Sequence, residues 1–124
     1  MLTDLVLSSI EDETSLHGAM SAENASDRIH AIGPRTVVIK RGGQGCLVST
    51  EGRKTTVPPV KVKKIVDATA AGDSFNAGFL AATLRGEDAR QAALLGHRCA
   101  AIVIGYHGAI VPRPDFERDL ALQK

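Results

Sequence analysis

The segment from Thr69 to Gly78 combines residue types that could bind an anion beside a carboxylate. It opens an Ala-rich helix, and Ala70, Ala71 and Gly72 carry almost no side chain to shield their backbone. Backbone amides converge at the start of a helix, where the helix dipole also favours negative charge. Asp73 in the same turn can accept the proton of an alcohol that attacks phosphorus, because the helix terminus favours its ionised form. This pairing is what phosphoryl transfer to an alcohol requires.

Asp73 also has a purely structural interpretation, because Asp is a favoured helix cap. The segment by itself leaves both roles open. Gly78 stands inside the predicted helix, where glycine costs roughly 1 kcal/mol relative to alanine. Close packing against a neighbouring element would offset that cost, so Gly78 is predicted to be a packing residue and not a ligand.

The elements that must position this turn alternate between strands and helices. Apolar and β-branched runs predict strands at residues 4–8, 36–39, 46–48, 55–57 and 62–66. Acidic first turns and the caps Ser21 and Asp88 predict helices at residues 11–20, 22–31, 73–86 and 88–104. Such alternation predicts an α/β fold with a parallel or mostly parallel sheet flanked by helices.

Three features of the sequence stand at the carboxyl ends of predicted strands, where open α/β sheets bind their ligands. They are the acids Glu11, Asp12 and Glu13, the glycines Gly42, Gly43 and Gly45, and the turn at 70–73. The acids also suit a first helical turn, because the amino end of a helix carries partial positive charge. For any one acid taken alone, that structural interpretation is the simpler one.

Composition narrows the class of protein. The chain has 124 residues, 44% of them apolar and 23% charged, as in one ordinary globular domain. A net charge of +1 gives no electrostatic case for nucleic acid, and no apolar run is long enough to cross a bilayer. Cys46 and Cys99 lack zinc-type spacing and are predicted to be buried thiols of a reducing compartment. With no signal peptide visible, the expected location is the cytoplasm.

The residues from Asp67 to Gly78 resemble the second signature of the ribokinase (PfkB) family, Asp-Thr-x-Ala/Gly-Ala-Gly-Asp. The segments at 37–42, 96–98, 100–104 and 107–112 resemble the 2-keto-3-deoxygluconate kinases of that family. The likeness runs from about Asp4 to Pro114. It implies a ribokinase-like fold in which residues 1–124 form one partial domain, the carboxyl-terminal, nucleotide-binding half, without the amino-terminal half and its lid.

The resemblance implies a role for each matching residue. Asp73 would be the catalytic base, and the amides of Ala70, Ala71 and Gly72 would form the anion hole for the transferred phosphoryl group. The nucleotide-binding residues would be Lys40, Gly42 and Gly45 beside the strand-turn region, with Asn76, His97 and Ala101 near the adenine. The metal-binding residues would be Asp12, which helps to organise Mg²⁺, and Asp67, Thr69 and Gly108, which lie where many members hold a monovalent cation such as K⁺.

Some positions depart from the family pattern. Ala68 replaces the usual Thr or Ser, so a hydroxyl near the loop is missing. Ser9 stands where many members have Asn, so the magnesium element is weakened or reorganised. Glu13 is therefore a rival of Asp12. His97 also has a bystander interpretation, because many groups can fill a pocket wall.

The predicted function is an ATP-dependent kinase that phosphorylates an alcohol group of a keto-deoxy sugar acid. The alternative is a catalytically inactive nucleotide-binding remnant, or one piece of a split kinase. A dinucleotide-binding protein is disfavoured, because no Gly-x-Gly-x-x-Gly stands between a strand and a helix. Since the amino-terminal half of the family is absent from the chain, an uncovered sheet edge and self-association are expected. Nucleotide and sugar acid are the expected partners, with neither nucleic acid nor membrane.

Overall fold

The computed structural model describes residues 4–60, 71–104 and 120. Its contacts divide the chain into two compact units, residues 1–58 and 59–124, and each is described by itself. The strand predicted at 62–66 lies outside the described residues. The single partial domain expected over residues 1–124 stays a prediction.

The strands and helices of the first unit follow one another in the order that the sequence predicts. Its elements are β1 (Leu5–Ser9), α1 (Ile10–His17), α2 (Ala22–His30), β2 (Thr36–Lys40), a 3₁₀ turn (Gly42–Gln44), β3 (Cys46–Thr50) and β4 (Arg53–Val57). These strands form one sheet in the order β1-β2-β3-β4. The second unit contains the helices α3 (Ala71–Leu84) and α4 (Ala89–Ile104).

The described sheet is mixed, which corrects the expectation of a mostly parallel one. The strands β1 and β2 pair in parallel, whereas β2 pairs antiparallel with β3, and β3 antiparallel with β4. The physical reason is the length of the connections. Two helices separate β1 from β2, but only residues 41–45 separate β2 from β3, and Glu51 and Gly52 alone separate β3 from β4. A parallel pair needs a crossover of a dozen or more residues, so the short turns permit only hairpins.

The core of the first unit lies between the sheet and α2. Val37, Val38 and Ile39 of β2 have no exposed surface, which confirms the prediction of a strand buried on both faces. One face of the sheet packs against α2 in an apolar cluster. Its buried members are Ala22, Ala25, Ile29, Val37, Ile39 and Leu47. Burial of each large aliphatic side chain contributes about 1.5–3 kcal/mol, so this cluster is what fixes α2 on the sheet.

Three helices begin at a polar side chain that accepts a hydrogen bond from the amide three residues later. Ser9 caps α1 at 3.1 Å, Ser21 caps α2 at 3.1 Å and Asp88 caps α4 at 2.8 Å. The caps predicted at Ser21 and Asp88 are confirmed. The helix α1 ends at His17, earlier than predicted, because Gly18 follows in the left-handed region with φ of 88°.

The two helices of the second unit approach closely at Gly78. A Cβ atom placed on Gly78 would lie 2.9 Å from Cys99 Sγ and 3.1 Å from Gly96 Cα, and one placed on Gly96 would lie 2.8 Å from the Phe75 ring. Each glycine therefore makes room for the opposite helix, which confirms Gly78 as a packing residue. Among the described helices, none has the length and apolar character needed to cross a membrane.

Candidate functional site

The turn at the start of α3 places a carboxylate beside small residues. The helix begins at Ala71, so that Ala71, Gly72 and Asp73 form its first turn. The Asp73 side chain is exposed and does not enter the core. Asp73 lies inside the first turn and not before it, which is not the position of an N-cap. Ala70, the third predicted contributor to the anion hole, lies outside the described residues.

The residues predicted near the adenine fall on both helices of the second unit. Asn76 on α3 is half-buried, while His97 and Ala101 on α4 are each 7% exposed. His97 and Ala101 are four residues apart and share one face of α4. The ring of His97 meets the ring of Phe75 edge-on at a centroid distance of 5.0 Å. His97 is therefore part of the packing between α3 and α4.

The predicted nucleotide-binding turn of the first unit requires glycine for its backbone. Gly42 has φ of 58° and Gly45 φ of 87°, both in the left-handed region. The amide of Gly45 donates to the Gly42 carbonyl at 3.2 Å, and the amide of Arg41 donates to the Gly45 carbonyl at 2.8 Å. Lys40 is half-buried at the end of β2. The glycines thus have a structural reason to be present, whatever the turn binds.

The acids of α1 differ in environment, which separates Asp12 from its rival Glu13. Glu13 is 6% exposed, and its two oxygens are engaged: Oε2 accepts from Ser8 Oγ at 2.9 Å, and Oε1 pairs with Arg28. Asp12 is exposed, and its amide donates to the capping Ser9. Since Glu13 is held by other side chains, Asp12 is the better candidate for a metal. Ser9 serves as the cap of α1.

Glu11, one of the three acids that the sequence places at the carboxyl end of the first strand, lies beside the glycine turn. Its Oε1 atom lies 3.8 Å from the position that a Cβ atom would take on Gly42. The strand pairing explains this proximity: β1 and β2 are parallel, and Ser9 is the register partner of Lys40. The residues that directly follow these two strands must therefore meet at one edge of the sheet.

His30 is half-buried and connects α2 to the sheet through hydrogen bonds. It is not one of the predicted site residues. Its Nδ1 lies 2.9 Å from the Pro34 carbonyl oxygen, and its Nε2 lies 2.8 Å from Ser49 Oγ. A carbonyl only accepts, so Nδ1 donates, and in the neutral imidazole the Ser49 hydroxyl donates to Nε2. A cavity of about 280 Å³ adjoins this contact, lined by His30, Arg35, Ser49, Glu51, Gly52 and Lys54. None of the predicted site residues lines it.

The two cysteines are buried and free, as predicted. Burial raises the pKa of Cys46 to about 12, although the charges of Arg41 and Lys40 act in the opposite direction. Burial likewise raises the pKa of the Cys99 thiol. A nucleophilic cysteine needs a lowered pKa, so neither thiol is suited to nucleophilic chemistry near neutral pH.

The described residues contain no group of three or more His, Cys, Asp or Glu side chains that could hold a metal ion. Mg²⁺ is commonly held by one or two carboxylates together with substrate phosphates, so the exposed carboxylate of Asp12 fits a metal that arrives with a nucleotide. The predicted monovalent-cation residues Asp67, Thr69 and Gly108 lie outside the described part of the chain.

Solved structures share this fold. The chain superposes on ribokinase from Thermotoga maritima with a TM-score of 0.79 and 30% sequence identity, covering 95% of this chain and 42% of that one. The fold is ribokinase-like, as the sequence predicts. Residues 1–115 match the pfkB family carbohydrate kinases, and the chain belongs to that family.

Two curated relatives carry the same name. The chain is 46% identical over 114 residues to 2-dehydro-3-deoxygluconokinase of Escherichia coli strain K12, covering 90% of this chain. It is 45% identical over 113 residues to the 2-dehydro-3-deoxygluconokinase of Dickeya dadantii, covering 89% of this chain. The chain spans only 37% of the Escherichia coli protein and 36% of the Dickeya protein.

Proposed function

We propose that the chain is the nucleotide-binding portion of an ATP-dependent kinase that phosphorylates an alcohol group of 2-keto-3-deoxygluconate or a similar sugar acid. The observation that carries the proposal is the exposed carboxylate of Asp73 in the first turn of α3, directly after Ala71 and Gly72. Membership of the carbohydrate kinase family and the names of the two relatives support the reaction and the substrate class.

In the proposed phosphoryl transfer, Asp73 accepts the proton of the attacking hydroxyl group. The sugar hydroxyl oxygen forms a bond to the γ-phosphorus, the bond between that phosphorus and ADP breaks, and the hydroxyl proton passes to the Asp73 carboxylate. The partial positive charge at the start of α3 stabilises the negative charge of the transferred group. The amides of Ala70, Ala71 and Gly72 are the proposed anion hole.

The remaining predicted residues are proposed to bind the nucleotide and the cations. Lys40, Gly42 and Gly45 are assigned to ATP, and Asn76, His97 and Ala101 to the region of its adenine. Asp12 is assigned to Mg²⁺, which neutralises phosphate charge when it is bound. Asp67, Thr69 and Gly108 are assigned to a monovalent cation such as K⁺.

The test is Asp73→Asn in a protein that joins this chain to the amino-terminal portion of its relatives. Asn keeps the size of the side chain but cannot take the proton, so kcat should fall by about 10²–10⁴-fold. Asp88→Asn is a matched control, because it also changes an exposed Asp at a helix start, and Asn is an equally good cap. Unchanged turnover in Asp73→Asn would remove this residue from the mechanism.

A second candidate is a catalytically inactive nucleotide-binding remnant, or one piece of a split kinase. The chain alone should then bind ATP without phosphorylating sugar. A separately produced amino-terminal portion would restore turnover to a piece of a split kinase but not to an inactive remnant.

The proposed setting is the cytoplasm, since the free thiols of Cys46 and Cys99 suit a reducing compartment. We also propose that the isolated chain self-associates through an outer strand of its sheet.

A further inference from the structure

Helix α1 has an unusual attachment to the rest of the first unit. Of its eight residues, Ile10–His17, the buried one is Glu13. Ile10 is only partly buried against the apolar cluster, and Leu16 is 73% exposed. Apolar packing therefore contributes little to the position of this helix, and polar contacts must contribute the rest.

Those polar contacts converge on the first turn of α1. Ser8 Oγ, at the end of β1, donates to Glu13 Oε2 at 2.9 Å. Arg28 of α2 pairs with Glu13 Oε1, and the exposed fractions of these side chains are 35% for Arg28 and 8% for Glu13. The first turn is thus joined to both a strand and the neighbouring helix through one carboxylate.

The joined turn also carries the proposed magnesium residue. Asp12 precedes Glu13, is exposed, and donates its amide to the capping Ser9 at 3.1 Å. On the other side of Asp12, Glu11 lies beside the Gly42 turn. A shift of the first turn would therefore move both exposed carboxylates relative to the proposed nucleotide-binding glycines.

We infer that Glu13 and Arg28 are positioning residues, whose partly buried ion pair fixes the Asp12 carboxylate where Mg²⁺ of a bound nucleotide can reach it. The inference rests on the proposed nucleotide-binding function. Neither residue touches the nucleotide; they act through the first turn of α1. Removal of Arg28 leaves the Glu13 carboxylate buried without its counter-ion, which is unfavourable, so that side chain turns towards solvent and the turn moves with it.

The experiment measures how much MgCl₂ improves the affinity of the chain for a fluorescent N-methylanthraniloyl ATP. Arg28→Met keeps the aliphatic stem and removes the charge. It should reduce the magnesium-dependent gain in affinity by about 10-fold, the lower end of what outer-shell changes cost in metal affinity. Affinity without magnesium should stay the same, and Glu13→Gln should give the same pattern.

Two variants separate positioning from a general loss of structure. Arg28→Lys restores a positive charge and should recover most of the magnesium-dependent gain. Arg35→Met is the matched control: the contact of Arg35 with Asp4 at 3.8 Å is exposed and distant from α1, so the gain should not change. All measurements are made well below the lowest unfolding temperature of the set.

A double variant tests whether Arg28 acts through Asp12. Asp12→Asn alone should lower the magnesium-dependent gain, and adding it to Arg28→Met should cause little further loss, because both changes remove the same interaction. A full gain in Arg28→Met and Glu13→Gln would overturn the inference while leaving the proposed function intact. ATP binding that is absent or independent of magnesium in the unaltered chain would overturn both.

Discussion

Cys46 shows how burial changes the chemistry of a single residue. It begins β3 with no exposed surface, and burial raises the pKa of its thiol to about 12 against an ordinary 9.0. The folded state therefore holds the thiol proton more tightly than the unfolded state does. The free energy of unfolding should be unaffected by this group below about pH 9, and should fall as the pH rises from about 9 towards about 12.

Urea unfolding at a series of pH values between roughly 8 and 10.5 measures this effect. One proton bound by the folded but not the unfolded state gives a slope of up to about 1.4 kcal/mol per pH unit. Cys46→Ala should flatten the slope in this range, although the variant is less stable overall because it leaves a cavity. A slope that is equally steep in Cys46→Ala would assign the pH dependence to other groups.

At the residue scale, sequence reasoning succeeded where the signal is local. Ser21 and Asp88 were predicted as caps because capping depends on residues within one turn. The choice between Asp12 and Glu13 could not be made from the sequence, since it depends on an ion pair between Glu13 and Arg28 in a different helix. The predicted catalytic role of Asp73 is supported by its exposure and stays a proposal.

The contact between α3 and α4 gives a prediction at the scale of elements. Gly78→Ala adds a methyl group at 2.9 Å from Cys99 Sγ and 3.1 Å from backbone atoms of Leu95 and Gly96. Alanine favours a helix by roughly 1 kcal/mol over glycine, but overpacking typically costs about 1–3 kcal/mol. Because backbone cannot move aside easily, the variant should be destabilised by up to about 2 kcal/mol, measured by denaturant unfolding.

The control for this variant is Gly43→Ala. A Cβ atom on Gly43 would meet nothing within 4 Å, and Gly43 is not among the glycines with positive φ. The free energy of unfolding of Gly43→Ala should therefore stay within about 0.5 kcal/mol of that of the parent. If Gly78→Ala proved as stable as the parent or more so, the close approach of the two helices would not constrain the second unit.

The sheet shows that the order of strands and helices along the chain does not determine the direction of each strand. Strand positions were predicted well, because the β-branched run at β2 and the Gly42–Gly45 turn are strong local signals. Strand direction was predicted less well, since the alternation of strands and helices predicted a parallel or mostly parallel sheet. The lengths of the two short turns contain the missing information: they exclude a crossover and require β2, β3 and β4 to be antiparallel.

At the scale of the whole molecule, the described sheet has two outer strands of different character. The strand β4 carries Arg53 and Lys54, and Lys54 pairs with Asp27 at 2.7 Å. Charged side chains of this kind protect an edge against pairing with another chain. The strand β1, Leu5–Ser9, carries no charge and is only partly buried along its whole length. We therefore expect self-association of the isolated chain to use β1.

A twofold axis would bring β1 against its own copy with the strand direction reversed, so the new pair is antiparallel and joins two sheets into one. The mass measured by light scattering should then rise with protein concentration. Leu5→Lys places a charge on this edge and should return the chain to a monomer, whereas the matched change Thr55→Lys on the exposed part of β4 should not. Dissociation by Thr55→Lys and not by Leu5→Lys would place the interface on β4. A parent chain that stays monomeric at every concentration would show that neither outer strand pairs, because an unprotected edge that pairs does so in proportion to its concentration.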